Sequence, residues 1–206
     1  HDALPILKDD VRNTILDSAT EEFLEKGFED SSMRRIAAKS KMTVGNLYRY
    51  FKSKEDIYNS IVEDYMSILT GEIEACIDAE TGFEDSYYRL CQCLVSFEEK
   101  YPKYYASLMG EEKMTNSRKK TDIINQDVGR ELRELISSLL EKGVKHNILR
   151  KDIELQPTVL YVWSAISGII QVADRKKDIL KKKVNMDRDE YLKYSFRTFY
   201  ESLVRR

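Results

Sequence analysis

Three observations predict an all-α protein of about nine helices. Only 3 Pro and 8 Gly occur in 206 residues, where average usage supplies about 10 and about 14. Apolar residues make up 42% and charged residues 34%, a mixture that suits amphipathic helices and argues against a β-sandwich or a disordered chain. Apolar side chains also recur every three or four positions almost from end to end, the period of a helix with one buried face.

The elements follow in order. Val11, Ile15, Ala19 and Phe23 repeat every four residues, with Leu16 and Leu24 widening the stripe, and Gly27 stops this first helix. Ser31 or Ser32 caps a short second helix whose inner face is Met33, Ile36 and Ala37. After the break at Ser40-Lys41-Met42, Thr43 caps a third helix running through Phe51, with Leu47 and Phe51 inward. Ser53 caps a long fourth helix, its first turn carrying Glu55 and Asp56 where the helix dipole favours acids, and its stripe reading Ile57, Ile61, Tyr65, Ile68, Leu69, Ile73 and Cys76.

Beyond Thr81-Gly82 the stripe is Tyr87, Leu90, Cys91, Leu94 and Phe97, and Pro102 breaks it. Tyr101 to Met109 is apolar and aromatic, and polar Glu111 to Lys120 reads as a loop. Ile123 to Lys145 is helical again, with Leu132, Ile136, Leu139 and Leu140 inward, and Asn147 ends it because it tolerates the left-handed region. Pro157 sits in the first turn of the next helix. Its span Val159 to Val172 carries no charge, which predicts cover around most of its circumference. The basic stretch Arg175 to Lys183 leads to a last amphipathic helix with Tyr191, Tyr194, Phe196, Phe199, Tyr200 and Leu203. The expected grouping is three short helices packed together, then a six-helix bundle, with the fourth helix as the mechanical link.

Charge is uneven. The chain holds 34 Lys+Arg against 36 Asp+Glu, yet Ser31 to Lys54 contains seven cations (Arg34, Arg35, Lys39, Lys41, Arg49, Lys52, Lys54) and no acid. The remainder is net −9. Such asymmetry points to a polyanion docking on one small region. Two short helices joined by a tight turn, the second rich in polar side chains, form a helix-turn-helix reader whose second helix fits the major groove.

The stretch SSMRRIAAKSKMTVGNLYRYFKSKEDIY closely resembles the amino-terminal signature of TetR-family transcriptional regulators. The likeness covers Asp9 to Ile61, about a quarter of the chain; beyond it only helix count and order match. It implies DNA contacts from Ser31, Ser32 and Arg34 on one side of the groove and from Thr43, Val44, Gly45, Asn46, Tyr48, Arg49, Tyr50 and Lys54 on the other. The chemistry fits: a threonine hydroxyl for phosphate, a valine for a thymine methyl, an asparagine for a base edge, an arginine for a bidentate phosphate contact. Gly45 lets the backbone approach DNA, and Lys54 completes a phosphate clamp at the start of the fourth helix. Lys41 stands where the family's turn holds Gly; a left-handed lysine costs about 1 kcal/mol, so the turn is distorted or Lys41 adds a phosphate contact.

The resemblance also implies a homodimer, because one short helix reads only a few base pairs. The uncharged helix and the last helix are the expected interface, through Tyr161, Ala165, Gly168, Ile169, Val172, Phe196, Phe199 and Tyr200. The expected division is a DNA-binding domain over residues 1–53 and an effector-binding and dimerisation domain over 54–206. The chain has 13 Tyr, and tyrosine lines pockets well, offering an apolar face and one hydroxyl. Tyr65, Tyr87, Cys91, Phe97, Tyr101, Tyr105, Met109 and Trp163 are the candidate pocket for a small, largely hydrophobic effector. Glu98, Glu99, Glu111 and Glu112 hint at a cationic one.

Other classes find little support. His1 and His146 are the two histidines, and neither completes a Glu-x-x-His pair or a Ser-His or Cys-His partnership. No Gly-x-x-x-x-Gly-Lys loop occurs. No enzyme, cofactor or metal is expected. The odd count of Cys76, Cys91 and Cys93 fits inert thiols in the cytoplasm, and on a helix Cys91 and Cys93 point to different faces. No run of 18 apolar residues exists, so no membrane span is expected. A non-specific DNA-packaging protein is the alternative, but it predicts basic residues spread widely.

Overall fold

The structure, a computed structural model, describes residues 3–77, 81–102, 104–105 and 118–205. Among these lie nine α-helices: α1 (Ala3–Lys26), α2 (Met33–Lys39), α3 (Val44–Leu47), α4 (Lys54–Cys76), α5 (Phe83–Lys100), α6 (Arg118–Lys145), α7 (Leu155–Arg175), α8 (Lys177–Ile179) and α9 (Arg188–Leu203). A π-helical turn, Leu180–Val184, follows α8. The all-α expectation holds. Two element readings change: α1 spans 24 residues rather than being short, and Arg118 to Lys120, read as loop, open α6.

The chain forms two compact units, His1–Ser67 with Tyr101–Val128, and Ile68–Lys100 with Gly129–Arg206. The core of the first gathers Ile15, Ala19 and Phe23 of α1, Ile36 and Ala37 of α2, Leu47 of α3, Phe51, and Ile57 and Ile61 of α4. Each such side chain contributes roughly 1.5–3 kcal/mol by leaving water. Phe23, Phe28 and Tyr58 pack as an aromatic trio. Gly27 ends α1 at φ 81, its N–H donating 2.9 Å to Phe23 O. That left-handed geometry suits a residue without Cβ.

In the second unit α9 packs chiefly on α7, and α5 packs on both. The Tyr87 hydroxyl of α5 donates 2.8 Å to Phe196 O of α9, a buried tie between two helices. Asn147, at φ 56, closes α6 as expected. The Asn147 N–H donates to Val144 O and the Ile148 N–H to Gly143 O, the double bond of a Schellman cap. Here α6 has no room for a side chain: a Cβ on Gly143 would meet Leu149 at 2.8 Å and Phe83 at 2.9 Å. The loop seated there is stitched to the end of α9 by Arg150 N–H to Leu203 O and Arg205 N–H to Ile148 O. The Arg205 guanidinium adds a bond to Leu149 O.

Two expectations about burial need correction. Ile68, placed on the α4 stripe, is 38% exposed. The uncharged α7 is covered on one side only: Val159, Val162, Ile166, Ser167, Ile170 and Ala173 are buried, while Leu160 and Tyr161 are 56% and 55% exposed. Nor does composition exclude a membrane span. By length and mean hydropathy α7 passes the test that a strict apolar run fails, because Ser, Thr and Gln dilute the run without adding charge. A core helix passes the same test, and the buried face of α7 against α5 and α9 is that of a core helix.

Candidate nucleic-acid interface

The sequence SSMRRIAAKSKMTVGNL builds two helices and the turn between them. Ser32 caps α2 by accepting from the Arg35 N–H, and Thr43 caps α3 by accepting from the Asn46 N–H at 3.2 Å. Between them Ser40 occupies the C-cap, and Lys41 takes φ 56, the left-handed position. The Lys41 N–H donates to Ala38 O at 3.2 Å and the Met42 N–H to Ala37 O at 2.8 Å. This is a regular Schellman cap, so the turn is intact and lysine bears the strain that the family spares by using Gly. The third helix is shorter than expected. Its regular part ends at Leu47, and Arg49 and Tyr50 N–H groups bond three residues back, tightening the chain toward a 3₁₀ turn.

Around this turn the side chains divide sharply. Arg34, Lys41, Thr43, Gly45, Arg49 and Lys52 are exposed, and Tyr48 is 52% exposed. A Cβ on Gly45 would meet nothing within 4 Å, so no contact inside the chain requires glycine there. Asn46 is half-buried. Val44 and Tyr50 pack against the core cluster, which leaves each only an edge for a base or phosphate. Ser32 is exposed at its cap, but Ser31 is buried and donates its hydroxyl to Gly27 O at 2.5 Å and Glu22 O at 3.3 Å. Ser31 thus holds the α1–α2 loop together instead of facing outward as expected.

Three of the seven cations are also engaged internally. Lys54 donates to Phe28 O at 2.6 Å, Glu29 O at 3.1 Å and Ser31 O at 3.1 Å, with its ammonium 4.4 Å above the Phe28 ring. An ammonium has three donors, and all three are used, so Lys54 braces the same loop and is not the open phosphate clamp expected. Lys39 pairs with Glu25 at 2.9 Å and Glu22 at 3.8 Å, and Arg35 with Glu22 at 3.5 Å. The hydrogen bond that the Lys39 ammonium donates to Glu25 raises the Lys39 pKa. Glu22 is 2% exposed, a buried acid that charge counting missed because it lies outside the basic segment. The exposed cations of Ser31 to Lys54 that these pairings leave open are Arg34, Lys41, Arg49 and Lys52, while Arg35 is exposed but paired with Glu22.

The candidate pocket residues divide between the two units. Tyr65, Tyr101 and Tyr105 belong to the first unit, where Tyr65 meets Tyr101 edge-on and stacks on Tyr104. The Tyr104 hydroxyl lies 2.9 Å from that of Thr20. Tyr87, Cys91, Phe97 and Trp163 belong to the second unit, and Met109, like Glu111 and Glu112, lies outside the described residues. Tyr87 and Phe97 are core, and burial drives the Tyr87 pKa far up. A groove of about 580 Å³ lies between α5 and α9, with Tyr88, Cys91, Val95, Leu192 and Phe196 as its apolar lining and Gln92, Ser96 and Lys193 beside them. Only Cys91 of the expected pocket residues lines it. Tyr88 lines it while its neighbour Tyr87 does not, and no periodicity separates the two.

At one end of this groove Arg188 meets four acids: Asp174 at 2.5 Å, Glu99 at 2.8 Å, Glu98 at 3.5 Å and the exposed Asp189 at 3.5 Å. Glu98 carries a raised pKa, first from burial and then from Asp174, with Arg188 opposing. Among the expected interface residues, Tyr161 and Val172 are exposed and Ala165, Gly168, Ile169 and Tyr200 half-buried. Phe196 and Phe199 are buried within the chain, and Phe199 meets Tyr161 edge-on at 5.2 Å.

Known proteins match both the local motif and the whole fold. The family model for bacterial regulatory proteins of the tetR family matches residues 15–61. The transcriptional repressor KstR2 of Rhodococcus jostii is 26% identical over 152 residues, 70% of this chain and 71% of that protein. The biofilm operon icaADBC negative regulator IcaR of Staphylococcus epidermidis is 22% identical over 136 residues, 66% of this chain and 69% of that protein. Among solved structures, the regulator FadR of Bacillus subtilis in complex with stearoyl-CoA has a TM-score of 0.74 at 16% identity, covering 92% of this chain and 97% of that one. These relatives are transcriptional regulators and not enzymes. The capped helix pair with its Schellman turn, the family match over the segment that contains it and the shared all-α fold lead to one conclusion: residues 15–61 match the tetR-family model, and the chain as a whole is similar to transcriptional regulators of that kind.

Proposed function

We propose that the protein is a ligand-responsive repressor that works in the cytoplasm, binding a palindromic operator as a homodimer and changing its DNA affinity when a small, largely hydrophobic molecule binds the larger bundle. In this reading residues 1–53 read DNA and 54–206 sense the effector and dimerise. The observation that carries it is the exposed row Thr43, Gly45, Tyr48 and Arg49, with half-buried Asn46 among them, beside the free cations Arg34, Lys41 and Lys52 and with open space at Gly45. Asn46 reads a base edge, and Arg49, Thr43 and Tyr48 grip the backbone.

Dimerisation supplies two such helices one DNA turn apart, about 34–36 Å. The exposed apolar strip of Leu160, Tyr161 and Val172, with the open backbone at Gly168, favours α7 as its seam. The effector enters among the aromatic and apolar side chains named above, with the α5–α9 groove as the open approach. That the fold neighbour from B. subtilis holds stearoyl-CoA supports an apolar ligand of some length. Binding shifts α4, which runs unbroken from Lys54 to Cys76, and the two recognition helices lose their spacing. A coupling of about 1–3 kcal/mol suffices.

Titrating a selected palindrome against random duplex at several salt concentrations tests this reading. Arg49→Ala should weaken all sequences alike and reduce the salt slope by about 1, whereas Asn46→Ala should relax preference at one position by about 1–3 kcal/mol. Equal effects of the two would remove Asn46 from base reading. Equal affinity of the wild type for every duplex would favour non-specific packaging instead.

A further inference from the structure

The three cysteines do not share one environment. Cys91 faces the α5–α9 groove. Cys93, two residues on, faces the other way, into a groove of about 450 Å³ that it shares with Cys76 at the end of α4, together with Glu72, Arg89, Gln92 and Lys100. The Cys93 thiol donates 3.6 Å to Glu72 O, one helical turn before Cys76, and both thiols line the one groove. Arg89 donates to Cys76 O at 3.4 Å, and Lys100 reaches Glu72 at 3.5 Å. Cys76 is half-exposed, whereas Cys93 is buried.

We propose that Cys76 and Cys93 are a reversible dithiol–disulfide couple, oxidised by hydroperoxides. The roles follow from access. Cys76 is the thiol that a hydroperoxide can reach, and two cations line the groove where negative charge develops on sulfur. Burial pushes the Cys93 thiol up to about 12, which keeps it protonated and unreactive until a partner sulfur is activated beside it. The Cys76 sulfur attacks the terminal oxygen of the hydroperoxide, the O–O bond breaks, and the leaving alkoxide takes the thiol proton as an alcohol. The Cys93 sulfur then attacks the Cys76 sulfenic acid; an S–S bond forms, hydroxide leaves, and it collects the Cys93 proton as water. Two thiols lose two electrons to one peroxide, and a dithiol reductant reverses the step. The carboxyl end of α4 is where the accommodation occurs, since Cys76 is its last residue and no further helical turn holds it.

The test uses the full chain. After treatment with stoichiometric hydrogen peroxide, free thiols are alkylated and the protein is digested without reductant. The expected result is a peptide linking Cys76 to Cys93, with Cys91 still alkylated, and recovery of all three thiols after dithiothreitol. Cys91→Ser should leave the link unchanged. Cys93→Ser should instead trap a dimedone-reactive sulfenic acid on Cys76, and it would do so in the folded chain only. The wild-type peptide map decides the matter even if that variant misfolds. Three equally alkylated cysteines after peroxide, a link involving Cys91, or a Cys76–Cys76 link between chains would each overturn the proposal.

Discussion

At the scale of single residues, the basic segment shows how charge and availability part company. Seven cations stand between Ser31 and Lys54, but Arg35 and Lys39 are spent on Glu22 and Glu25, and Lys54 on three carbonyls. Nothing in the local sequence tells which lysine folds back, because the acceptors come from another element 23 to 26 residues away. Lys54→Met should therefore act on stability as well as on DNA. A loss of about 2 kcal/mol is expected from the charged hydrogen bonds, visible in urea unfolding of the free protein. Lys41 gives the opposite case. Its left-handed φ was readable from the family's glycine at that place, and Lys41→Gly should stabilise the protein by about 0.5–1 kcal/mol while weakening binding to every duplex.

At the scale of elements, periodicity located nearly every helix, since burying one stripe is what holds a helix in a soluble chain. It was less able to set lengths. The third helix fades after one regular turn because the Arg49 and Tyr50 N–H groups bond three residues back, to Asn46 O and Leu47 O, a backbone matter on which side-chain spacing is silent. The join of α5, α7 and α9 through Arg188 was not readable either, because its acids lie 14 and about 90 residues away. Burial, and then the carboxylates crowded around one guanidinium, makes Glu98 hold its proton more tightly than the ordinary 4.5. The folded chain thus binds more protons than the unfolded one just above that pH. Stability should fall as pH rises through this window. Thermal melts on either side of pH 4.5 should show the decline, and Glu98→Gln should flatten it. Arg188→Ala should cost about 2–3 kcal/mol, less than a fully buried pair because water reaches part of the cluster.

At the scale of the whole molecule, the all-α class and the DNA-reading segment were plain in the sequence, while the effector site was not. Aromatic residues that look alike in a sequence take up different work: Tyr87 is a core tie, Tyr88 lines a groove, and Tyr161 is bare. For α7, lack of charge predicted cover, and the uncovered half is what the proposed dimer needs. Gly168→Leu separates assembly from folding, since a Cβ there meets nothing in the chain itself. Sedimentation should show at least a tenfold weaker dimer with unfolding unchanged or slightly improved, leucine being the better helix former. If the variant assembles like the wild type, α7 is not the seam. The stitch between residues 147–150 and 203–205 has a practical outcome as well. Replacing Arg205 by alanine removes the guanidinium clamp on Leu149 O, so one change there should loosen a bend more than fifty positions upstream, and the two stretches should resist or yield to proteolysis together.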